Sequence, residues 1–208
     1  MKYDHFERFI EGYKKGPLPG AEAQDLMSPI IKGKIRDRSY SLDKARHSGV
    51  MVLMTLHNGK AVLIMIKRVN KGVHGGQISF PGGEKDVSDI DLQHTAERET
   101  FEEVGVKSDS DKIIGPLSSL YIPPSNFFVQ PFAACIPNEE NYTINRSEVD
   151  QLLLIGIDDI DSNLRYSQHI IKRGDEIITA PCFEYQDQII WGASAMILNE
   201  WLEIYNRV

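Results

Sequence analysis

The stretch LQHTAERETFEEVGV, residues 92–106, places three glutamates on one face of a predicted helix. Glu99, Glu102 and Glu103 stand at positions i, i+3 and i+4, where carboxylates repel one another unless solvent screens them or a cation lies among them. Divalent cations such as Mg²⁺ take oxygen ligands and leave positions for water and substrate phosphates. The pattern is therefore typical of a solvated acidic helix face, the commoner case, or of a metal site that handles a phosphate.

The neighbours of these glutamates favour the metal site. The pair Gly82-Gly83 comes just ahead of the helix, and a glycine turn there can bring backbone carbonyl groups to the same cation. Arg98 is placed to orient Glu99 through a charge-assisted hydrogen bond. The large aromatic residue Phe101 on the same turn argues against a turn that is purely exposed surface.

The rest of the chain predicts a mixed sheet packed between helices, an α/β or α+β fold. Residues 48–68 give two buried strands joined at Asn58-Gly59, a strong hairpin signal. The last segment, 193–208, is a predicted helix with an apolar face. Further strands are predicted at QISF, PLSSLYI, FVQPFAACI, DQLLLIGI and IITAPCFEY.

Two parts of the chain differ in composition. Residues 1–45 combine a helical pattern, HFERFIEGYKK, with a stretch broken by three prolines and two glycines. We predict a helical and loop extension at 1–45 and the main domain at 46–208. The extension either caps the active site or makes a dimer contact, so a homodimer is left open.

The composition argues against some kinds of partner and indicates a cellular compartment. A net charge of −7 argues against a nucleic-acid backbone as the main partner. The longest apolar run, 61–66, is too short to span a membrane, and the first ten residues show no signal peptide. Cys135 and Cys182 lie in separate apolar contexts without metal-like spacing, which indicates buried free thiols. We therefore predict a cytoplasmic protein without membrane or nucleic-acid partners.

The segment GGEKDVSDIDLQHTAERETFEEVGV, residues 82–106, resembles the Nudix box, G-x5-E-x7-R-E-U-x-E-E-x-G-U, in which U is bulky and apolar. The interval from Gly83 to Arg98 is one residue longer than the pattern, and Thr100 stands at a position that is usually apolar. The second half of the box matches at Arg98, Glu99, Glu102, Glu103, Gly105 and Val106.

The longer interval resembles the coenzyme A pyrophosphatase branch of the Nudix hydrolases. That branch has a layout of Phe-Pro-Gly-Gly, two aspartates, Thr-Ala and Arg-Glu. The stretches PLPGAEAQDLMSP, SEVDQLLLIGIDDI and IIWGASAMIL are also similar to this branch, so the resemblance covers most of residues 16–205. The layout corresponds here to Phe80, Pro81, Gly82, Gly83, Asp86, Asp89, Thr95, Ala96, Arg98 and Glu99.

The resemblance implies a Nudix fold and Mg²⁺- or Mn²⁺-dependent hydrolysis of coenzyme A or acyl-coenzyme A to 3′,5′-ADP and a 4′-phosphopantetheine product. Arg98 would orient Glu99, which is either a metal ligand or the general base. Glu148 is the other candidate base, and a structural or exposed carboxylate is its alternative role. The implied metal ligands are Glu99, Glu102, Glu103 and the carbonyl group of Gly83.

The chain departs from the branch's pattern at the residues that would contact the substrate. The branch's coenzyme A motif has a second arginine where this chain has Gly72. Lys67, Arg68 and Lys71 keep positive charge nearby for a 3′-phosphate, or are plain surface charges. The candidate substrate-binding residues are Lys67, Arg68, Lys71, His74, Phe80, Gly82, Tyr121 and Phe127.

Several of these assignments have structural alternatives. A loop histidine such as His74 is more often incidental, whereas core packing explains Tyr121 and Phe127 equally well. Asp86 and Asp89 are outer groups of the metal site or, as we favour, a turn and N-cap pair for the helix. Two functions compete with coenzyme A cleavage: a Nudix hydrolase for ADP-ribose, NADH or a nucleoside triphosphate, and a catalytically silent Nudix binding module.

Overall fold

The structure is a computed structural model that describes residues 4–31, 34–35, 44–72, 74–107, 112–139, 141–160, 164–173 and 176–208. The helices are α1 (Asp4–Lys14), α2 (Ala21–Leu26), α3 (Leu92–Val104) and α4 (Ala193–Tyr205), with a 3-10 turn at Ile157–Asp159. The strands are β1 (Ile30–Ile31), β2 (Lys34–Ile35), β3 (Arg46–His57), β4 (Lys60–Arg68), β5 (Ile78–Ser79), β6 (Gly82–Glu84), β7 (Ile113–Pro116), β8 (Leu120–Ile122), β9 (Phe127–Glu139), β10 (Val149–Gly156), β11 (Leu164–Arg173), β12 (Glu176–Tyr185) and β13 (Gln188–Trp191).

The main sheet is mixed, as predicted. Its order is β10-β4-β3-β9-β7, with β5 beside β4, β6 beside β3 and β8 beside β9. β3 runs parallel to β9 and antiparallel to β4. The β3–β4 hairpin turns at Asn58 (φ 49°) and Gly59 (φ 72°), and both residues have the positive φ that a tight two-residue hairpin needs.

Helices cover both faces of this sheet, which explains why its central strands are apolar almost throughout. In β3, Met51 and Leu53 pack in one buried cluster with Ala96 of α3. Val52 and Met54, which alternate with them, pack in the other cluster, which contains most of the apolar face of α4. The prediction of a mixed sheet between helices is confirmed.

A second sheet has the order β11-β12-β1-β2, with β13 beside β12. The sequence pattern predicts β12 but not β11 or β13. β11 reads LRYSQHIIKR, in which polar and charged residues interrupt the apolar ones, so a periodic core signal is weak.

The N-terminal segment packs on the C-terminal helix. The rings of Phe9 in α1 and Trp201 in α4 stack with centroids 5.0 Å apart. The Glu200 carboxylate of α4 is fully buried and accepts hydrogen bonds from Gln24 Nε2 (3.0 Å) and from the Gly20 N–H group (3.2 Å). These contacts tie residues 4–31 to the main core, and the division of the chain at residue 45 stays a prediction.

The structure also confirms the prediction about the two cysteines. Cys135 and Cys182 are buried free thiols, and burial raises the pKa of both. Within the described ranges, no helix has the length and the apolar composition that crossing a membrane requires.

Candidate active site

Helix α3 is fixed at both ends and along one side. The Asp91 side chain accepts a hydrogen bond from the His94 N–H group (2.8 Å), and this caps the N-terminus. Gly105 has a φ of 76° and ends the helix as predicted. At Gly49 of β3 a Cβ atom would overlap the Leu92 carbonyl group, so this glycine lets the helix lie directly on the strand.

Three carboxylates converge beside this helix. Ligand oxygens of Glu99, Glu103 and Glu148 all lie within 4.8 Å of one another. Glu148 belongs to the turn before β10, and Asn145 holds that turn with a backbone N–H bond to the Glu103 carbonyl group (3.0 Å) and a side-chain bond to Glu148 (3.3 Å). The structure thus joins two predicted box residues to the candidate base from outside the box.

Glu103 is the buried member of this cluster, with 1% of its side chain exposed. It accepts hydrogen bonds from the Gly82 N–H group (2.9 Å) and from Arg68 Nη1 (3.3 Å). Burial raises the pKa of Glu103 to about 7, and the carboxylates of Glu99 and Glu148 act in the same direction. The two hydrogen-bond donors do not offset the effect of burial on the pKa of Glu103. The cluster therefore offers carboxylate oxygens and uncompensated negative charge, and a hard divalent cation would supply the missing positive charge.

The glycine pair lies against the cluster, as its sequence position predicted. A Cβ atom on Gly83 would lie 2.5 Å from each carboxylate oxygen of Glu99. Gly82 has a φ of 149°, a conformation that other residues rarely adopt, and its N–H group points to Glu103.

We expect Gly83→Ala to lower kcat/KM by about 10- to 100-fold, in the range seen when groups that orient metal ligands are changed. The added methyl group must displace the Glu99 carboxylate. Initial rates at saturating Mg²⁺ would measure the loss. Gly16→Ala is the matched control, because a Cβ atom there would meet only the Arg207 side chain, at 3.9 Å. Wild-type rates for Gly83→Ala would contradict the placement of Glu99.

Arg98 is anchored by Asp89 before it reaches the cluster. Its Nε and Nη2 atoms donate to the two carboxylate oxygens of Asp89, each at 2.9 Å. Thr95 Oγ1 (2.9 Å) and the Asp86 N–H group (2.8 Å) donate to the same carboxylate, which is completely buried. The bonds from Arg98 in particular hold the pKa of Asp89 well below its usual range.

The prediction that Asp86 and Asp89 form a turn and N-cap pair is therefore wrong for the cap. Asp91 caps the helix, while Asp89 holds the arginine. Asp86 makes the predicted turn, accepting bonds from the N–H and hydroxyl groups of Ser88. A bidentate carboxylate–guanidinium pair fixes the plane of Arg98 as well as its position.

The anchored Arg98 then contacts two box glutamates. Its Nη1 atom donates to Glu99 (2.8 Å) and to Glu102 (3.0 Å). Contact with Glu99 agrees with the predicted orienting role. Glu102, with 49% of its side chain exposed, lies outside the cluster of three carboxylates, so its role as a metal ligand stays a prediction.

Glu102→Gln should lower kcat/KM by about 10- to 100-fold, because the change removes either a metal ligand or a charged partner of Arg98. Titration of initial rates with Mn²⁺ separates the two roles. A ligand role raises the metal concentration needed for half-maximal rate, whereas a pairing role leaves it unchanged and lowers kcat. Undiminished turnover would contradict both.

The predicted phosphate contacts lie around the end of β4. Arg68 forms an ion pair with Glu103. Lys67 lies opposite Gln151 of the neighbouring strand β10. Lys71 is exposed in the following loop. His74 Nδ1 lies 3.1 Å from Gln77 Oε1, within its own turn.

The predicted aromatic contacts divide between core and surface. Phe80 is 2% exposed in the main core, which leaves it no surface for a ligand and corrects the expectation of a substrate contact. The Tyr121 hydroxyl donates to Asn126 Oδ1 (2.9 Å), and the Phe127 ring lies 4.1 Å below the Arg46 guanidinium group. Both stay candidates, beside the core-packing alternative.

Comparison with known proteins agrees with this architecture. A family model described as the NUDIX domain matches residues 45–171, more than half of the chain. The Nudix hydrolase NudL of Pectobacterium atrosepticum is 30% identical over 166 residues, which cover 78% of this chain and 84% of that protein. The mitochondrial coenzyme A diphosphatase NUDT8 of Homo sapiens is 29% identical over 168 residues, covering 77% of this chain and 71% of that protein.

A solved structure supports the fold. The crystal structure of a MutT/nudix family protein from Enterococcus faecalis superposes with a TM-score of 0.56 at 18% identity, covering 96% of this chain and 70% of that chain. The similarity of fold, the family model and the arrangement of the box residues on α3 lead to one assignment. The chain belongs to the Nudix hydrolase family.

Proposed function

We propose that this Nudix hydrolase cleaves the diphosphate of coenzyme A or acyl-coenzyme A to 3′,5′-ADP and a 4′-phosphopantetheine product. The observation that carries the proposal is the convergence of Glu99, Glu103 and Glu148 beside the Gly82-Gly83 turn. Substrate class is suggested by the relative named as a coenzyme A diphosphatase.

Nudix hydrolases generally use divalent metal ions, and the donor set here fits Mg²⁺ or Mn²⁺. Glu103 would hold the ion with the predicted ligands Glu102 and the Gly83 carbonyl group, and with whichever of Glu99 and Glu148 is not the general base. A bound ion would neutralise the diphosphate oxygens and lower the pKa of a coordinated water molecule.

The protein's own groups prepare the attack. Asp89 fixes Arg98, and Arg98 holds one oxygen of Glu99 in place. Burial raises the pKa of Glu99, while Arg98 opposes the shift. A carboxylate that binds a proton more readily is a better general base near neutral pH. Glu148, the exposed member of the cluster, is the second candidate base because water reaches it directly.

Recognition of a 3′-phosphate would fall to the two lysines of this region. Arg68 is already paired with the buried Glu103, which leaves Lys67 and Lys71 as the cations able to turn to a ligand. Lysine binds phosphate as a point charge and gives less geometric selection than the bidentate arginine of the branch motif.

One observation favours another substrate of the same chemistry. Gly72, at the position of the motif's second arginine, has a φ of 71°, where an L side chain would be strained. The chain therefore lacks the arginine and has a backbone conformation at Gly72 that disfavours one, so an ADP-ribose, NADH or nucleoside triphosphate hydrolase is the second candidate.

Product analysis by mass spectrometry tests the proposal. The purified chain would be incubated with Mg²⁺ or Mn²⁺ and an equimolar mixture of coenzyme A, acetyl-coenzyme A, ADP-ribose, NADH and nucleoside triphosphates. Early release of 3′,5′-ADP is the expected result. Faster loss of another substrate would leave the mechanism intact and replace the substrate, and no turnover at all would favour a silent binding module. Cytoplasmic location and a homodimer remain predictions.

A further inference from the structure

The turn that carries Glu148 has its backbone fixed from two sides. The Asn145 N–H group donates to the Glu103 carbonyl group at the end of α3 (3.0 Å), and the Val69 N–H group, just after β4, donates to the Glu148 carbonyl group (2.9 Å). The next residue, Val149, is fully buried in the core. The backbone therefore holds Glu148 beside the cluster, but its exposed side chain must still be ordered at a cost in conformational entropy.

The side chain of Asn145 has a defined orientation. Its Oδ1 atom accepts hydrogen bonds from the Ser147 N–H group (3.1 Å) and from the Ser147 hydroxyl group (2.7 Å). A backbone N–H group can only donate, so the Asn145 atom that faces it must be the oxygen. The Nδ2 group is then free to donate to Glu148 Oε1 (3.3 Å). The turn itself thus directs an amide donor at the Glu148 carboxylate.

Glu148 differs from the other two carboxylates of the cluster in the kind of group that holds it. Each of the other two forms an ion pair with an arginine. Within the described parts of the chain Glu148 makes no ion pair, and the neutral amide of Asn145 is its side-chain partner. A neutral donor orients a carboxylate without cancelling its charge, so the full negative charge stays available to a cation or to a proton.

We propose that Asn145 is a positioning residue whose amide group holds the Glu148 carboxylate against Glu99 and Glu103. The ligand oxygens of these three residues lie within 4.8 Å of one another, and like charges at that distance repel. Without the amide, this repulsion turns the exposed side chain of Glu148 toward solvent. The assignment rests on the proposed function for the reaction, and it applies whether Glu148 binds the ion or accepts the proton of the attacking water.

Asn145→Ser tests the amide group alone. A serine hydroxyl group can still accept from the Ser147 N–H group and keep the turn, but it is too short to reach Glu148. We expect kcat/KM for metal-dependent hydrolysis of coenzyme A to fall about 10- to 100-fold, the range for groups that orient metal ligands. The Mn²⁺ dissociation constant of the metal-free protein, measured by calorimetry, should rise about tenfold because the cation loses a nearby carboxylate.

The matched control is Asn199→Ser. Asn199 also donates one amide hydrogen bond, to the Ala23 carbonyl group (2.9 Å), but it lies on α4 in the contact with the N-terminal segment. This substitution should change neither kcat/KM nor the Mn²⁺ dissociation constant. A loss equal to that of Asn145→Ser would attribute the effect to general destabilisation and overturn the proposal.

A double-mutant cycle separates positioning of Glu148 from a packing role. Glu148→Gln removes the charge that the amide of Asn145 holds. Adding Asn145→Ser to Glu148→Gln should then change kcat/KM and the Mn²⁺ dissociation constant by less than about twofold, the scatter seen for unrelated sites. The full loss repeated in the double variant, or wild-type values for Asn145→Ser alone, would overturn the proposal.

The two measurements distinguish failure of this inference from failure of the proposed function. Turnover of coenzyme A by the wild type tests the proposed function. If the wild type leaves coenzyme A intact, the Mn²⁺ cycle decides the role of Asn145 alone: an effect that depends on Glu148 keeps the positioning role, and an independent effect removes it. A wild type that binds no Mn²⁺ would remove both the metal site and the positioning role.

Discussion

Glu103→Gln should lower kcat/KM for metal-dependent hydrolysis by about 10³-fold, equivalent to about 4 kcal/mol of transition-state stabilisation. Glu103 is the buried member of the three-carboxylate cluster, and glutamine keeps its shape while removing the negative charge. Initial rates over a range of Mg²⁺ concentrations measure the effect. Excess metal should recover little of the rate, because a neutral amide is a poor ligand for a hard cation.

The same substitution should have the opposite effect on the stability of the metal-free protein. The folded-state pKa of Glu103, about 7, lies above the value of about 4.3 expected in an unfolded chain. The folded protein therefore favours the neutral form of Glu103, and ionisation of this group lowers the free energy of unfolding. The wild type becomes less stable as pH rises from about 4 through about 7. Glutamine does not ionise, so with EDTA at pH 8 the variant should be more stable by about 3 to 4 kcal/mol, with the difference removed below pH 4.

Chemical denaturation with and without Mg²⁺ tests this reversal. Added metal should raise the unfolding free energy of the wild type and leave that of Glu103→Gln almost unchanged. Glu97→Gln is the matched control, because Glu97 lies on the same helix and accepts only from Gln93 in the described structure. Equal stabilisation of both proteins by Mg²⁺, or a variant that turns over normally, would remove Glu103 from the metal site.

Part of this site could be predicted from the sequence, because the spacing of residues on a helix decides which side chains share a face. Positions 99 and 103 differ by four residues, so a helix brings them to one face. Glu102 is one residue from Glu103, about 100° around the helix, and the sequence alone does not say which of them turns inward. The packing of α3 on β3 at Gly49 decides it, placing Glu103 against the sheet and Glu102 beside Arg98.

Other contributions depend on tertiary structure. Glu148 follows Glu103 by 45 residues, and it reaches the cluster only because Asn145 ties its turn to the end of α3. Asp86, Asp89 and Asp91 all precede the helix, and each is a reasonable cap by composition. Backbone conformation selects Asp91 and turns Asp89 inward, so the anchoring role has no local sequence signal.

Asp89→Asn should lower both stability and activity, which makes it the sharpest test of that anchor. The buried carboxylate balances the charge of Arg98, and removing one partner of a buried ion pair costs about 3 kcal/mol. The freed arginine no longer fixes Glu99, so kcat/KM should fall by about 10²-fold, at the upper end for groups that orient metal ligands. Denaturant unfolding and initial rates at saturating Mg²⁺ measure the two effects.

The pH dependence distinguishes loss of the ion pair from a general packing defect. Arg98 holds the pKa of Asp89 below the value of about 3.9 expected in an unfolded chain. The stabilisation is therefore complete above pH 4 and declines as pH falls toward the folded-state pKa. The stability difference between wild type and Asp89→Asn should be full at pH 7 and shrink at pH 3, whereas a packing defect would give a constant difference. Asp86→Asn, which alters only the exposed turn at Ser88, should change neither property appreciably, so a comparable loss there would mean that the turn, rather than the Asp89–Arg98 pair, positions Glu99.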